Sequence, residues 1–383
     1  MKQRIYLDNH STTRVDPRVV DAMLPYFSEC FGNAASGNHC FGWEAKDAVE
    51  HAREQVASMI GARPDEIVFT SGATESDNFA LKGTARALRE KGNHIITSVV
   101  EHKAILDTCR VLEDEGFTTT YLPVDKDGLV DCDELKRAIT KDTILVSIMH
   151  ANNEIGVIQE IAEIGRVCRE HDIVFHSDTA QSAGKIDINV DELGLDLASF
   201  SAHKFYGPKG VGAVYVRGGN VGTRVKPIIN GGGQEKGMRS GTLNVPAIVG
   251  LGKACAIVTS EKPDESARVL NLRERLRTGI VNGLEDVHLN GHLERRLPGN
   301  LNLSFGGVPG YLLLKSLENE IAVSSGSACS SGSATGSYVL QAIGCDDELI
   351  DSSLRFGIGR FNTEPEIDYV VSRITEVVTE LRG

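Results

Sequence analysis

From about residue 16 to residue 258 the chain alternates short apolar runs of strand length with longer amphipathic stretches. The apolar runs lie at 67–70, 94–99, 118–122, 143–149, 173–176, 196–201 and 212–216, and helical periodicity occupies 44–60, 75–90, 104–115 and 161–170. Strands apolar on both faces and separated by helices pack as a mostly parallel sheet covered on each side, so the fold class is α/β. Asp16-Pro17 opens the first helix, with Asp able to cap and Pro suited to the first turn.

The pattern changes after residue 258. A polar stretch, 259–265, leads into a long charged helix at 266–284. Shorter strands and helices then alternate at 300–305, 311–317, 321–324 and 353–358, and Thr363-Glu364-Pro365-Glu366 reads as a capping box before the last helix. This is a smaller α+β unit, and 383 residues are enough for two cores. Hydrophobic residues at 41% and charged ones at 24% exclude disorder, collagen and a disulfide scaffold. The net charge of -13, with no sustained Lys/Arg run, argues against nucleic acid and against an anionic membrane surface. Asp8 interrupts the stretch that a signal peptide needs apolar, and Lys253 interrupts the best spanning candidate, 245–258. None of the eight cysteines forms a Cys-x-x-Cys pair, so metal ligation has no spacing to support it, and the expectation is reduced thiols in the cytoplasm.

Chemistry is concentrated where strands end. Lys204, in Ser201-Ala202-His203-Lys204, follows one strand, and Asp178 follows an earlier one. A lone loop lysine is ordinarily a solvated side chain. At strand ends of an α/β sheet, however, a lysine and an aspartate are the two groups that pyridoxal phosphate requires. The amine bonds the aldehyde and the carboxylate keeps the pyridine nitrogen protonated. Thr70-Ser71-Gly72-Ala73-Thr74-Glu75-Ser76 joins a strand to a helix with small residues, which suits an anion cup and equally a plain helix cap. His102 follows another strand and is placed either to stack on a ring or to serve structure alone. Cys329 lies in a Gly/Ser-rich run at 324–337, where a thiol has freedom to move.

With these runs assembled, the chain resembles the NifS/IscS-type cysteine desulfurases, within the class V aminotransferase-like, fold-type I PLP enzymes. The likeness extends from Tyr6-Leu7-Asp8-Asn9 to the last helix. It is carried by 70–78, Asn152-Asn153-Glu154-Ile155-Gly156, 177–181, 201–204, Arg239-Ser240-Gly241-Thr242 and 324–331. The resemblance implies a large PLP-binding domain, 15–258, with a seven-stranded sheet. It implies a small domain, 1–14 and 259–383, that carries the catalytic Cys loop. It assigns Lys204 to the cofactor aldehyde, Asp178 to the pyridinium, His102 to ring stacking and acid/base work, and Gln181 to the ring hydroxyl. Ala73, Thr74, Ser201 and His203 would hold the phosphate, joined by Thr242 from a second copy in a homodimer. Asn153 and Arg355 would take the substrate carboxylate, Arg355 through its bidentate fork.

The implied activity converts L-cysteine to L-alanine. Lys204 shuttles the α-proton, and the Cys329 thiolate takes the sulfur as a persulfide and passes it to an iron–sulfur scaffold protein or another acceptor. No resident metal is implied, only transient contact of Cys329 with a nascent cluster. Rival readings are a selenocysteine lyase or class V aminotransferase of the same fold, which need no mobile thiol, and a catalytically inactive scaffold. Two features depart from the family pattern. His10 and Ser11 stand where relatives carry smaller or different residues, and the chain stops at Gly383, short of the extension with which longer members dock a scaffold.

Overall fold

All seven apolar runs of the first unit become strands of one sheet. The computed structural model describes residues 4–219, 224–325 and 336–383. In chain order its strands are β1 (Ile5–Tyr6), β2 (Ile67–Thr70), β3 (His94–Ser98), β4 (Thr118–Leu122), β5 (Thr143–Ser147), β6 (Val174–Asp178), β7 (Leu197–Ser201) and β8 (Gly212–Val216). There follow β9 (Val287–Leu289), β10 (Asn300–Phe305), β11 (Ile321–Ala322), β12 (Ser324–Ser325) and β13 (Ser353–Gly357). The large sheet has the order β2-β8-β7-β6-β5-β3-β4. Its five strands from β7 to β4 run parallel, while β8 is antiparallel to both β7 and β2. Every residue of β3, β5, β6, β7 and β8 is buried, as two-sided helix cover requires.

One face packs on the helices Cys40–Ile60 and Ile161–Glu170 through Val49, Val56, Ile60, Ile164 and Val167. The other packs on Ala73–Ala87 and Lys103–Asp114 through Phe79, Leu81, Ile105 and Leu112. Each such side chain contributes roughly 1.5–3 kcal/mol when buried. Asp16 caps the first helix by accepting from the Arg18 N–H, and Thr363 with Glu366 forms the capping box of the last.

The second unit has its own cluster, formed by Ile5, Leu7, Leu301, Leu303, Phe305, Leu354, Phe356 and the last helix, Glu364–Arg382. Here β12-β13-β10-β9 form an antiparallel sheet, and β1 pairs in parallel with β11. One expectation fails. The polar stretch 259–265 does not separate two elements, because a single helix runs from Val245 to Gly283 with Pro263 inside it. Leu251 and Cys255 of that helix sit in the first core and Leu272, Leu276 and Ile280 in the second. The polar stretch is merely where the helix passes from one core to the other.

Candidate active site

Because β6 and β7 are parallel neighbours, their carboxyl ends open on the same side. Asp178 is the last residue of β6 and Ser201 the last of β7, and the short 3-10 turn Ala202–Lys204 follows at once. These ends line a cavity of about 720 Å³ together with Ala73, Thr74, His102, Asn153, Gln181, His203, Lys204 and Arg355. The structure thus gathers ten of the expected site residues. Thr242 is not among them and is exposed outside its own chain's cavity. Cys329 lies outside the described residues, but Ser324 and Tyr338 on either side of its run line the same cavity.

The anion cup is the start of the helix Ala73–Ala87. Gly72 precedes it at φ 147, in the range that favours glycine, and no side chain caps the helix. The first-turn N–H groups therefore have no intrahelical acceptor and point, with the helix dipole, at the cavity. Gly212 of β8 permits this approach, since a Cβ there would stand 2.7 Å from the Gly72 Cα. Glu75 brings a negative charge into the cup, but Arg239 holds it at 2.8 Å and the Ser71 N–H at 2.9 Å. Burial pushes the Glu75 carboxyl up, and those two partners outweigh it and hold it below its ordinary range. Burial, then Lys204 and Lys209, lowers His203 to about 4, so it offers the cup a neutral ring.

Behind Asp178 lie two further buried carboxyls. Neither oxygen of Asp77 has a hydrogen-bond partner among the described residues, whereas Asp178 accepts from the Ala180 N–H at 2.8 Å. Burial raises both. His102 and Lys204 then pull Asp178 back down, while Asp178 pushes Asp77 further up. Of the two, Asp77 is held further above the ordinary carboxylate range than Asp178. Glu101 accepts from the Met149 N–H at 2.8 Å and from Ser98 Oγ at 3.0 Å, and burial raises its carboxyl to about 8. His176 bridges Ser147 and Ser199 at 2.9 Å each and is kept neutral by burial.

Lys204 and Arg355 bring positive charge to the cavity. Lys204 Nζ donates to the backbone oxygens of His10 at 2.7 Å and Ser11 at 2.8 Å. Arg355 on β13 donates to Asp8 Oδ1 at 2.9 Å, Ser11 Oγ at 2.7 Å, Ser324 Oγ at 2.9 Å and the Asn153 carbonyl at 2.9 Å. Asn153 Oδ1 is buried without a partner among the described residues, as a side chain awaiting a ligand would be. His102 also caps its helix, its Nδ1 accepting the Ala104 N–H at 3.1 Å, which leaves the ring proton on Nε2 in the neutral form.

Sequence reasoning missed Asp8 as the partner of Arg355, Arg239 as the partner of Glu75, and the buried carboxyls Asp77 and Glu101. Asp8 stands where the likeness to the family begins and Arg239 inside one of the runs that carry it, so the resemblance covered both without giving either a task.

Pyridoxal phosphate needs an anion cup, a carboxylate for its ring nitrogen, an N–H for its ring oxygen and a lysine for its aldehyde. The uncapped helix start, Asp178, Gln181 and Lys204 supply one each around a single cavity. Among the described residues, no cluster of His, Cys, Asp or Glu fits a metal ion.

Comparison with known proteins agrees with this chemistry. The aminotransferase class-V family profile matches residues 5–370. Cysteine desulfurase IscS of Anaeromyxobacter sp. (strain Fw109-5) is 55% identical over 382 residues, covering 100% of this chain and 94% of the relative. A solved NifS-like protein superposes with a TM-score of 0.92 at 41% identity, over 99% of this chain and all of that one. SspA, solved in complex with cysteine, superposes at 0.83 with 39% identity, over 95% of this chain and 100% of its own. The chain therefore belongs to the class-V aminotransferase family of PLP enzymes and, within it, to the NifS/IscS-type cysteine desulfurases.

Proposed function

We propose that this cysteine desulfurase parks the sulfur of L-cysteine as a persulfide on Cys329, releases L-alanine, and passes the sulfur to an acceptor protein such as an iron–sulfur scaffold. The observation that carries the site assignment is the placement of Asp178 and Lys204 at the carboxyl ends of adjacent parallel strands, beside an uncapped helix start. The SspA structure holding cysteine supports the substrate.

When bound, pyridoxal phosphate supplies an electron sink for charge at the substrate α-carbon. The chain's own groups do the rest. The Ala73 and Thr74 N–H groups, Ser201 and neutral His203 hold the phosphate. The Asp178 carboxylate accepts the ring N–H, the Gln181 amide donates to the ring oxygen, and His102 covers the ring face. Arg355 and Asn153 orient the substrate carboxylate. Lys204 Nζ takes the α-proton and returns it to carbon. The Cys329 thiolate forms the S–S bond as the substrate C–S bond breaks, the bonding pair staying on the carbon that becomes the alanine methyl group after protonation.

Thr242, exposed and absent from its own chain's cavity, is assigned to a phosphate in a second copy. An exposed apolar group of Leu24, Phe27, Phe31, Phe41 and Trp43, each 47–63% accessible, supports that homodimer. Unpaired thiols at all seven described cysteines support the cytoplasm as its compartment. No described helix is long and apolar enough to cross a membrane.

The test is alanine formed from L-cysteine, with a reductant present, by wild type and Cys329→Ser once both are shown to hold the cofactor. Alanine from wild type alone supports the persulfide route. Alanine from both removes Cys329 from the chemistry and returns the selenocysteine-lyase alternative.

A further inference from the structure

A glutamine can present either its oxygen or its N–H₂ to a ligand, and the two ends look alike in shape. What decides between them at Gln181 is its surroundings. Its Nε2 faces the backbone oxygen of His10 at 2.9 Å, and a carbonyl can only accept. Its Oε1 faces Lys185 Nζ at 3.0 Å, and an ammonium can only donate. The amide is therefore oriented without ambiguity. The orientation in turn assigns a tautomer to His10, whose Nδ1 lies 2.9 Å from Gln181 Oε1 and must carry the proton there. His10 Nε2 is buried with no partner among the described residues, as a bare lone pair permits and a second N–H would not. One amide hydrogen is taken by the His10 carbonyl, which leaves the other for the cavity.

We infer that His10 and Lys185 are positioning residues that lock Gln181 with an N–H toward the cofactor's ring oxygen. The inference rests on the proposed role of Gln181. The ring oxygen is anionic and accepts hydrogen bonds, so a reversed amide would oppose oxygen to oxygen. The lock also ties the cofactor to Lys204, because the same His10 carbonyl accepts from Lys204 Nζ at 2.7 Å. His10 is 2% exposed, and burial, followed by Lys185 and Arg355, keeps it neutral. Burial, then Lys204 and Arg355, lowers Lys185 to about 7. The His10 carbonyl can only accept whatever the state of Lys185, so the orientation survives the titration of the amine.

The test uses holoenzymes and follows the visible absorbance of the bound cofactor as a function of pH. An N–H to the ring oxygen stabilises that oxygen most when the neighbouring nitrogen has lost its proton. Removing it should raise the apparent pKa. Gln181→Ala should do so, and His10→Ala and Lys185→Met should shift it the same way by about three- to tenfold in the proton-binding constant. His10→Asn, which keeps a short N–H donor, should recover most of the wild-type value. In a Gln181→Ala background, His10→Ala and Lys185→Met should add nothing. A shift for Gln181→Ala with none for His10→Ala and Lys185→Met, in variants that retain cofactor, overturns the inference. So do shifts that persist in the Gln181→Ala background, which would mean that Lys185 acts by its charge alone. No shift for Gln181→Ala itself would overturn the role of Gln181 instead.

Discussion

Glu101 shows how a single buried carboxyl leaves a mark on the whole protein. Its pKa is raised to about 8 in the folded state because burial, with Asp178 nearby, outweighs the hydrogen bonds from Met149 and Ser98, against about 4.3 in an unfolded chain. The folded protein therefore binds the extra proton between those values, and the stability that Glu101 contributes is lost as pH rises from about 4.3 to 8. Glu101→Gln keeps an acceptor for the Met149 N–H and should remove up to one proton from that slope, about 1.4 kcal/mol per pH unit, in urea melts across the window. Asp8 acts more locally. Asp8→Asn loosens Arg355 and should raise KM for L-cysteine about tenfold, or roughly 1.4 kcal/mol, with a smaller change in kcat. At this scale the sequence displayed the chemistry-bearing types at strand ends, Lys204 and Asp178, but not their partners. Glu75–Arg239 and Asp8–Arg355 join residues far apart in the chain, and only the folded backbone brings them together.

Among the elements, the helix start at Gly72 and the helix around Pro263 lead to opposite expectations. Alanine at Gly72 must adopt φ near 147, a strain of about 1–3 kcal/mol, and it disturbs the cup. Gly72→Ala should lose cofactor on gel filtration where wild type retains it. Pro263 removes one bond from the helix Val245–Gly283. Pro263→Ala should raise the unfolding free energy by about 1–3 kcal/mol in urea, with kcat unchanged. The central strands were legible because burial on both faces writes a continuous apolar run. The unbroken helix was not, because its solvated middle, with Ser, Lys, Pro and Asp, has the composition of a linker. Its two apolar ends belong to different cores, so no single periodic stripe connects them.

For the whole molecule, acid should be the weak side. Burial depresses His176 to about 3 and His150 to about 4, and burial with nearby lysines depresses His203 to about 4. An unfolded chain takes up these protons near pH 6.5, so this stability is intact above 6.5 and is lost progressively as pH falls toward 3. Melting temperature followed through that window should fall with a steepness of up to three protons from these histidines, less the one that Glu101 contributes in the opposite sense above about pH 4.3. The exposed apolar group makes a separate prediction. Trp43→Asp with Phe31→Asp should run at half the wild-type mass in sedimentation and release cofactor more readily. Finally, β1 pairs with Ile321–Ala322, and Asn9 Nδ2 reaches the Gly357 carbonyl 348 residues along the chain. The carbonyls on which Lys204 rests belong to this same N-terminal strip. On a ribosome adding about 5–20 residues per second, the strip is made more than 300 residues before the partners that anchor it. A nascent chain that stalls between Lys204 and Ile321 holds Lys204 and Asp178 but no fixed floor beneath them, so competence for the cofactor arrives only after the residues that anchor the strip have been added.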